Sequence, residues 1–405
     1  MKKITYASLL FFCITTLAFG QGLPIAVPEE VGVSTERLQR IQPAMQEYVD
    51  EGHVSGFLTA IARRGKVVHF ETVGMRDVEN NKPVEADTLF RIYSMSKPIT
   101  SVAVMMLYEE GHFQLDTPVA EFIPEFKNMK FYNEDQTETR DAQKPITVKH
   151  LLMHTAGFTY GWGNKPVDKL YGKASLLKSS KTLDEMVQNL AKIPLVHEPG
   201  EEWTYGVSTD VLGYLVEVVA EMPFEEFLQT RIFQPLGMVD TGFSVPMEKA
   251  HRFAALYRQS KEEGMKLEKG APFTKEELIF FPAGGSGLVS TAADYLRFSQ
   301  MLLNGGELDG VRILGKETVE LMRQPHHRWG KSGGFGLGFA VVTEVNTEKT
   351  SESVGSFSWG GAAATTFWID PEKELIGVLM TQLMNNPHPF QQEFKKLTYE
   401  ALIDE

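Results

Sequence analysis

A serine with a lysine three positions on can do nucleophilic chemistry when both lie on one helical turn. The side chains then share a face, and the amine can take the hydroxyl's proton. Ser94-Met95-Ser96-Lys97-Pro98 offers that pair. It opens an apolar run in which Ile99, Val102, Ala103, Met106 and Leu107 recur at helical spacing, with Val104 and Met105 apolar on another side. A helix apolar round most of its circumference is a buried one. Pro98 suits the first turn, and Gly111 offers a left-handed stop. The spacing therefore predicts Ser94 at the buried N-terminus of a central helix, where backbone N–H groups favour developing negative charge. The pattern recurs at Ser175 and Lys178, but in a Lys/Ser-rich segment with no apolar helix behind it, so that copy reads as surface.

The rest of the chain must position this pair. At 405 residues it allows one large domain or two halves sharing a cleft. A formal net charge of −13 argues against a nucleic-acid or anionic-membrane surface. Met1-Lys2-Lys3 followed by the apolar stretch Ile4 to Phe19 has the form of a signal peptide, with cleavage expected between Gly20 and Gln21. That predicts a periplasmic or secreted protein with no stable membrane anchor. The single cysteine, Cys13, lies inside this segment, so the mature chain is expected to have no disulfide, no thiol nucleophile and no thiolate metal site.

Downstream, Ser34 caps an expected helix carrying Leu38, Ile41, Met45 and Tyr48, and Phe57–Ala62 with Val67–Val73 reads as a β-hairpin. Asp116 to Phe122 is expected to be a short helix, and Ile146–Met153 a helix ending at His154. His154 invites a catalytic role, but a histidine bonded to loop backbone is the better reading, because the lysine already offers a base. Lys127–Lys144 and residues 164–181 are polar excursions, and 258–277 a charged loop or lid. Phe158, Tyr160 and Trp162 lie on a glycine-punctuated loop, where aromatics line a pocket or pack beneath one. Leu183–Leu190 is helical, Ser208-Thr209-Asp210 is expected to cap a helix over Val211–Glu221, and Pro223 starts another. Ala283–Gly287 reads as a tight turn, since no Lys-Ser/Thr follows its last glycine. Thr291–Leu303 is a helix, then Gly336–Glu344, Val354–Trp359, Ala364–Ile369 and Glu374–Thr381 are strand-like, before a closing helix from Phe390. His326-His327 is adjacent rather than at helical ligand spacing and reads as exposed loop, so no metal is expected.

In order, Ser94-Met95-Ser96-Lys97, then Tyr205-Gly206-Val207 before a helix, then Trp359-Gly360-Gly361 on a C-terminal strand resemble the three motifs of the penicillin-recognising serine hydrolases. The likeness is closest to the carboxylesterases related to class C β-lactamases. His154–Gly157, Pro235–Met238 and Gly284–Ser290 match further family segments, so the resemblance spans roughly residues 27 to 400. It implies an α+β, β-lactamase/transpeptidase-like fold. An antiparallel sheet flanked by helices would come from about 27–93 and 280–402, with a mostly helical region, about 94–279, inserted between. It implies that Ser94 is the acyl-accepting nucleophile, and that Lys97 and Tyr205 share the base and proton-shuttle work, with the choice of base open. The backbone N–H groups of Ser94 and Ala362 would form the oxyanion hole. Trp359, Gly360, Gly361, Val207, Phe158, Tyr160 and Trp162 would bound the substrate, and no cofactor is implied.

Two departures bear on substrate. Val207 stands where family β-lactamases carry an asparagine that binds the acyl side chain's amide. Trp359 stands where they carry a cation that holds the drug's carboxylate. Neutral esters need neither, so the expectation is a hydrolase of small carboxylic esters. The rivals are a β-lactamase or D-amino-acid peptidase of the same chemistry, and a catalytically silent binder of cell-wall fragments.

Overall fold

In the computed structural model, β1 (Gly56–Arg63) and β2 (Lys66–Asp77) form the hairpin that their patterning predicts, joined at Arg64-Gly65. The structure describes residues 22–403 except 134, 136, 261, 263, 269–280, 331 and 345–350. The expected signal segment and residues 261, 263 and 269–277 of the expected lid thus lie outside the described residues. Residues next to them form a small hairpin, Tyr257–Ser260 with Gly264–Leu267.

A third, short strand, β3 (Lys82–Pro83), continues the sheet, and the C-terminal part supplies six more. These are β4 (His327–Trp329), β5 (Gly333–Phe335), β6 (Ala340–Val342), β7 (Phe357–Gly360), β8 (Thr366–Asp370) and β9 (Leu375–Met380). The order across the antiparallel sheet is β4-β5-β6-β7-β8-β9-β1-β2-β3. Both chain ends therefore meet at the β9–β1 seam, where Leu58 lies opposite Met380 and Arg63 opposite Leu375.

Alternation fixes the layers. Leu58, Ala60 and Ala62 of β1 enter one apolar core, while Phe57 and Ile61 enter another on the opposite face. On β9, Ile376, Val378 and Met380 go with the first core, and Leu375 and Leu379 with the second. The smaller core is closed by α1 (Ile41–Asp50) and the C-terminal helix Phe390–Glu400. The larger core holds α2 (Ser96–Glu109), α3 (Val148–Leu152), α4 (Ser208–Ala220) and α5 (Ala292–Leu303). Every residue of α2 from Ser96 to Leu107 is buried, as its all-round apolar pattern requires.

Several local expectations change. Ser34 does cap its helix, accepting the Arg37 N–H, but that helix is broken into Thr35–Leu38 and α1. Asp116 to Phe122 gives only the 3₁₀ turn Val119–Glu121. Residues 164–181 are not a plain excursion. Helices Pro166–Ala174 and Leu176–Ser179 form there because Val167, Tyr171 and Leu176 anchor them, a narrow apolar stripe inside a polar composition. The strand expected over Gly336–Glu344 is interrupted, since residues 336–339 turn back with the Gly336 N–H on the Phe339 carbonyl. His327 begins β4 and is half-buried, and His326 Nε2 sits 2.8 Å from the Leu321 carbonyl. Ser208-Thr209-Asp210 does not cap α4; all three residues are buried inside its first turn.

Candidate active site

Ser94 lies in a single 3₁₀ turn, Tyr93–Met95, that runs straight into α2; it precedes the α-helix rather than belonging to it. Tyr93 has φ 43°, a left-handed conformation that costs a non-glycine residue energy and that surrounding contacts must enforce. They do so from α5 and the segment before it: Tyr295 donates to the Met95 carbonyl at 2.9 Å, and Ser96 Oγ accepts the Leu288 N–H at 3.2 Å. The serine is thus held at the end of a rigid helix.

Lys97 is 1% exposed. Its Nζ stands 3.3 Å from Ser94 Oγ, 3.0 Å from the Tyr160 hydroxyl and 2.7 Å from the Gly285 carbonyl oxygen. Three directed partners leave the amine one orientation, toward the serine. Ser175 Oγ, by contrast, donates to the Gly172 carbonyl at 3.1 Å, and both Ser175 and Lys178 are exposed. That second copy is surface.

Tyr205 approaches the same lysine with its ring, whose centroid is 4.6 Å from Nζ. Tyr160 is the residue that meets it with a hydroxyl. Burial pushes the Tyr160 phenol well above its ordinary range, with the charge of Asp210 adding to this. His154 is fully buried with its ring 5.0 Å from that of Tyr205, and Nε2 is 3.5 Å from Thr209 Oγ1. Burial first, and the Lys97 charge second, hold it well below the usual histidine range, hence neutral. The expected backbone bond to its ring is not what holds it; the ring is a floor under Tyr205.

The third motif closes the site from the C-terminal end of β7. A Cβ on Gly361 would lie 2.2 Å from Thr365 Oγ1 and 2.5 Å from the Ile92 carbonyl oxygen, so only glycine lets this backbone touch the segment leading to Ser94. Ala362 follows, exposed, one residue beyond. Trp359 is half-buried with its ring 5.6 Å from Tyr205, and pairs across the sheet with Phe367. Val207, 3% exposed, and Trp162, 75% exposed, border a groove of about 270 Å³ with Tyr160, Tyr171, Leu176 and Leu177. Phe158 does not border it: it is fully buried against Phe126 and supports the loop from beneath.

Three further aromatic residues complete the site. Trp203 stacks on Tyr205 at 5.9 Å and 12°, and Trp329 and Phe335 extend the aromatic wall to Trp359. Trp203 could have been found, since residues two apart on an extended segment share a face. Trp329 and Phe335 come from strands whose pairing no local signal reveals.

A serine and a buried lysine at a helix start, faced by a strand of an antiparallel sheet, define a serine hydrolase of β-lactamase/transpeptidase-like fold. The chain belongs to the Beta-lactamase family, whose sequence profile matches residues 41–400. An uncharacterised protein of Mycobacterium tuberculosis is 35% identical over 397 residues, covering 89% of this chain and 98% of its own. Esterase EstB of Burkholderia gladioli is 29% identical over 372 residues, covering 84% and 89%. Among solved structures, EstCE1, a hydrolase with promiscuous acyltransferase activity, superimposes with a TM-score of 0.78 at 30% identity, covering 90% of this chain and 99% of its own.

Proposed function

We propose that this protein hydrolyses small carboxylic esters through an acyl-enzyme on Ser94, outside the inner membrane. The observation that carries the reading is the 3.3 Å approach of Lys97 Nζ to Ser94 Oγ, with the amine's other contacts fixed. As Oγ attacks the ester carbonyl carbon, its proton passes to the Lys97–Tyr205 unit. The negative charge on the former carbonyl oxygen is met by the N–H groups of Ser94 and Ala362. Collapse breaks the bond to the alcohol, which leaves with the proton. Water then attacks the acyl carbon, gives its proton to the same unit, and releases the acid and free Ser94.

The ester preference rests on Val207 and Trp359, neither of which offers an amide partner or a cation. Each missing polar contact costs a β-lactam roughly 1–3 kcal/mol, so two cost about a hundredfold or more in transition-state binding. The groove and the aromatic wall instead favour apolar acyl or alcohol portions. On nitrophenyl acetate or butyrate, kcat/KM is expected to exceed that on a chromogenic cephalosporin by at least about a hundredfold. Comparable efficiency on the cephalosporin would return the protein to the β-lactamase reading.

A second reading, acyl transfer to an alcohol, is favoured by the rings of Trp203, Tyr205, Trp329, Phe335 and Trp359, which give an apolar alcohol a surface to displace water from. The promiscuous acyltransferase activity of EstCE1 supports it. Product analysis with a nitrophenyl ester plus an added apolar alcohol separates the two by the ratio of new ester to free acid. Export is supported by the Met1–Gly20 pattern alone and is tested by the N-terminal mass of the protein recovered outside the cytoplasm, expected to start at Gln21.

A further inference from the structure

The first turn of α4 carries a carboxyl group that none of these steps uses. Asp210 is fully buried. Its Oδ1 accepts the Gly285 N–H at 2.9 Å, and the Gly285 carbonyl accepts from Lys97 Nζ at 2.7 Å. One glycine therefore has the carboxylate on its N–H side and the lysine on its C=O side. The turn is tied to the central helix as well, because Thr100 Oγ1 donates to the Gly284 carbonyl at 2.7 Å. A Cβ on Gly285 would stand 2.9 Å from Asp210 Oδ2 and 3.0 Å from the Tyr160 hydroxyl, so carboxylate and phenol converge on a space only glycine leaves open. Tyr160 already accepts from Lys97, which leaves its own proton free for Asp210.

We propose that Asp210 is a positioning residue of this hydrolase: it holds Gly285 so that the Gly285 carbonyl aims Lys97 at Ser94, and its charge is the lysine's buried counter-ion. The inference rests on the Ser94–Lys97 chemistry proposed above. The titratable groups that face Lys97 are Tyr160, Tyr205, His154 and Asp210. Burial keeps His154 neutral, and of these four Asp210 is the carboxylate, whose charge and that of Lys97 act on each other. Burial raises the Asp210 pKa overall, and the Lys97 charge works against that rise, so the two groups act on each other across the turn.

The two roles separate by substitution. Asp210→Asn is isosteric and keeps an acceptor for the Gly285 N–H but removes the charge. Removing a buried negative charge beside the proton-transfer groups should move the acidic limb of the kcat/KM profile on nitrophenyl butyrate down by about one unit. Thr100→Val loosens the same turn without touching charge. It should lower kcat by roughly tenfold and leave the acidic limb in place. A wild-type limb in a folded Asp210→Asn enzyme overturns the counter-ion role, and wild-type kcat in Thr100→Val overturns the aiming role. If Ser94→Ala keeps ester turnover, the functional reading itself has failed. A dead Ser94→Ala with both other profiles unchanged refutes this inference alone.

Discussion

At the scale of single residues, the division of labour between two tyrosines is the sharpest question. Tyr205 was legible as the motif residue, from its place before Gly206-Val207 and a helix. Tyr160 was legible only as a loop aromatic, because nothing in its neighbours' types says that its hydroxyl ends 3.0 Å from Lys97. If Tyr205 is the proton shuttle, Tyr205→Phe should cost about 10²–10⁴ in kcat, the usual worth of a general acid–base group. Tyr160→Phe removes one acceptor from a buried amine and should cost roughly 10–100-fold. If Lys97 and Tyr205 act as one unit, the double variant Lys97→Ala with Tyr205→Phe should be scarcely worse than its worse parent. Steady-state rates of the four variants decide it, and a larger loss in Tyr160→Phe than in Tyr205→Phe would hand the shuttle role to Tyr160.

At the scale of elements, the fit between β7 and the Ser94 turn makes the site. Period-two patterning revealed the strands, and the all-round apolar face revealed α2. Neither reveals that backbones 92 and 361 come together, since that contact joins residues far apart in sequence. Gly361→Ala forces its Cβ against Thr365 Oγ1 and the Ile92 carbonyl, and should destabilise by about 1–3 kcal/mol. It should also slow turnover, because the strand must shift off the serine. Gly360→Ala meets only the Thr365 carbonyl oxygen, at 3.2 Å, and should be milder in both respects. Thermal melts with turnover of both variants test this, and equal effects would remove the close approach as the cause.

At the scale of the molecule, the sheet between two cores sets a dependence on pH that has nothing to do with catalysis. His69 on β2 is buried against Thr59, with Nε2 2.8 Å from its Oγ1, and burial lowers its pKa to about 4. A histidine harder to protonate when folded leaves stability intact above its unfolded value near 6.5 and removes it as pH falls toward 4. The loss over that window should approach about 3 kcal/mol. His69→Gln, which cannot titrate there, should flatten that part of the curve in denaturant unfolding; an unchanged slope would place the acid sensitivity elsewhere.

How much of the molecule the chain announces follows from the same physics. The sheet, α2 and the three motif segments were legible because each has a strong local period or residue pattern. The helices of 164–181 were not, since their anchors Val167, Tyr171 and Leu176 are diluted among lysines and serines. Asp210 reads as a cap because a carboxylate near a helix start usually is one; only the burial of α4 against Gly285 makes it a partner of the lysine's turn. What holds the parts together is the claim that Ser94 is the acylated residue. Labelling the protein with a fluorophosphonate and mapping the adduct by peptide mass tests it most directly. The account predicts one adduct, on the peptide bearing Ser94, lost together with ester turnover in Ser94→Ala and kept in Ser175→Ala; an adduct on another residue, or turnover surviving Ser94→Ala, would contradict it.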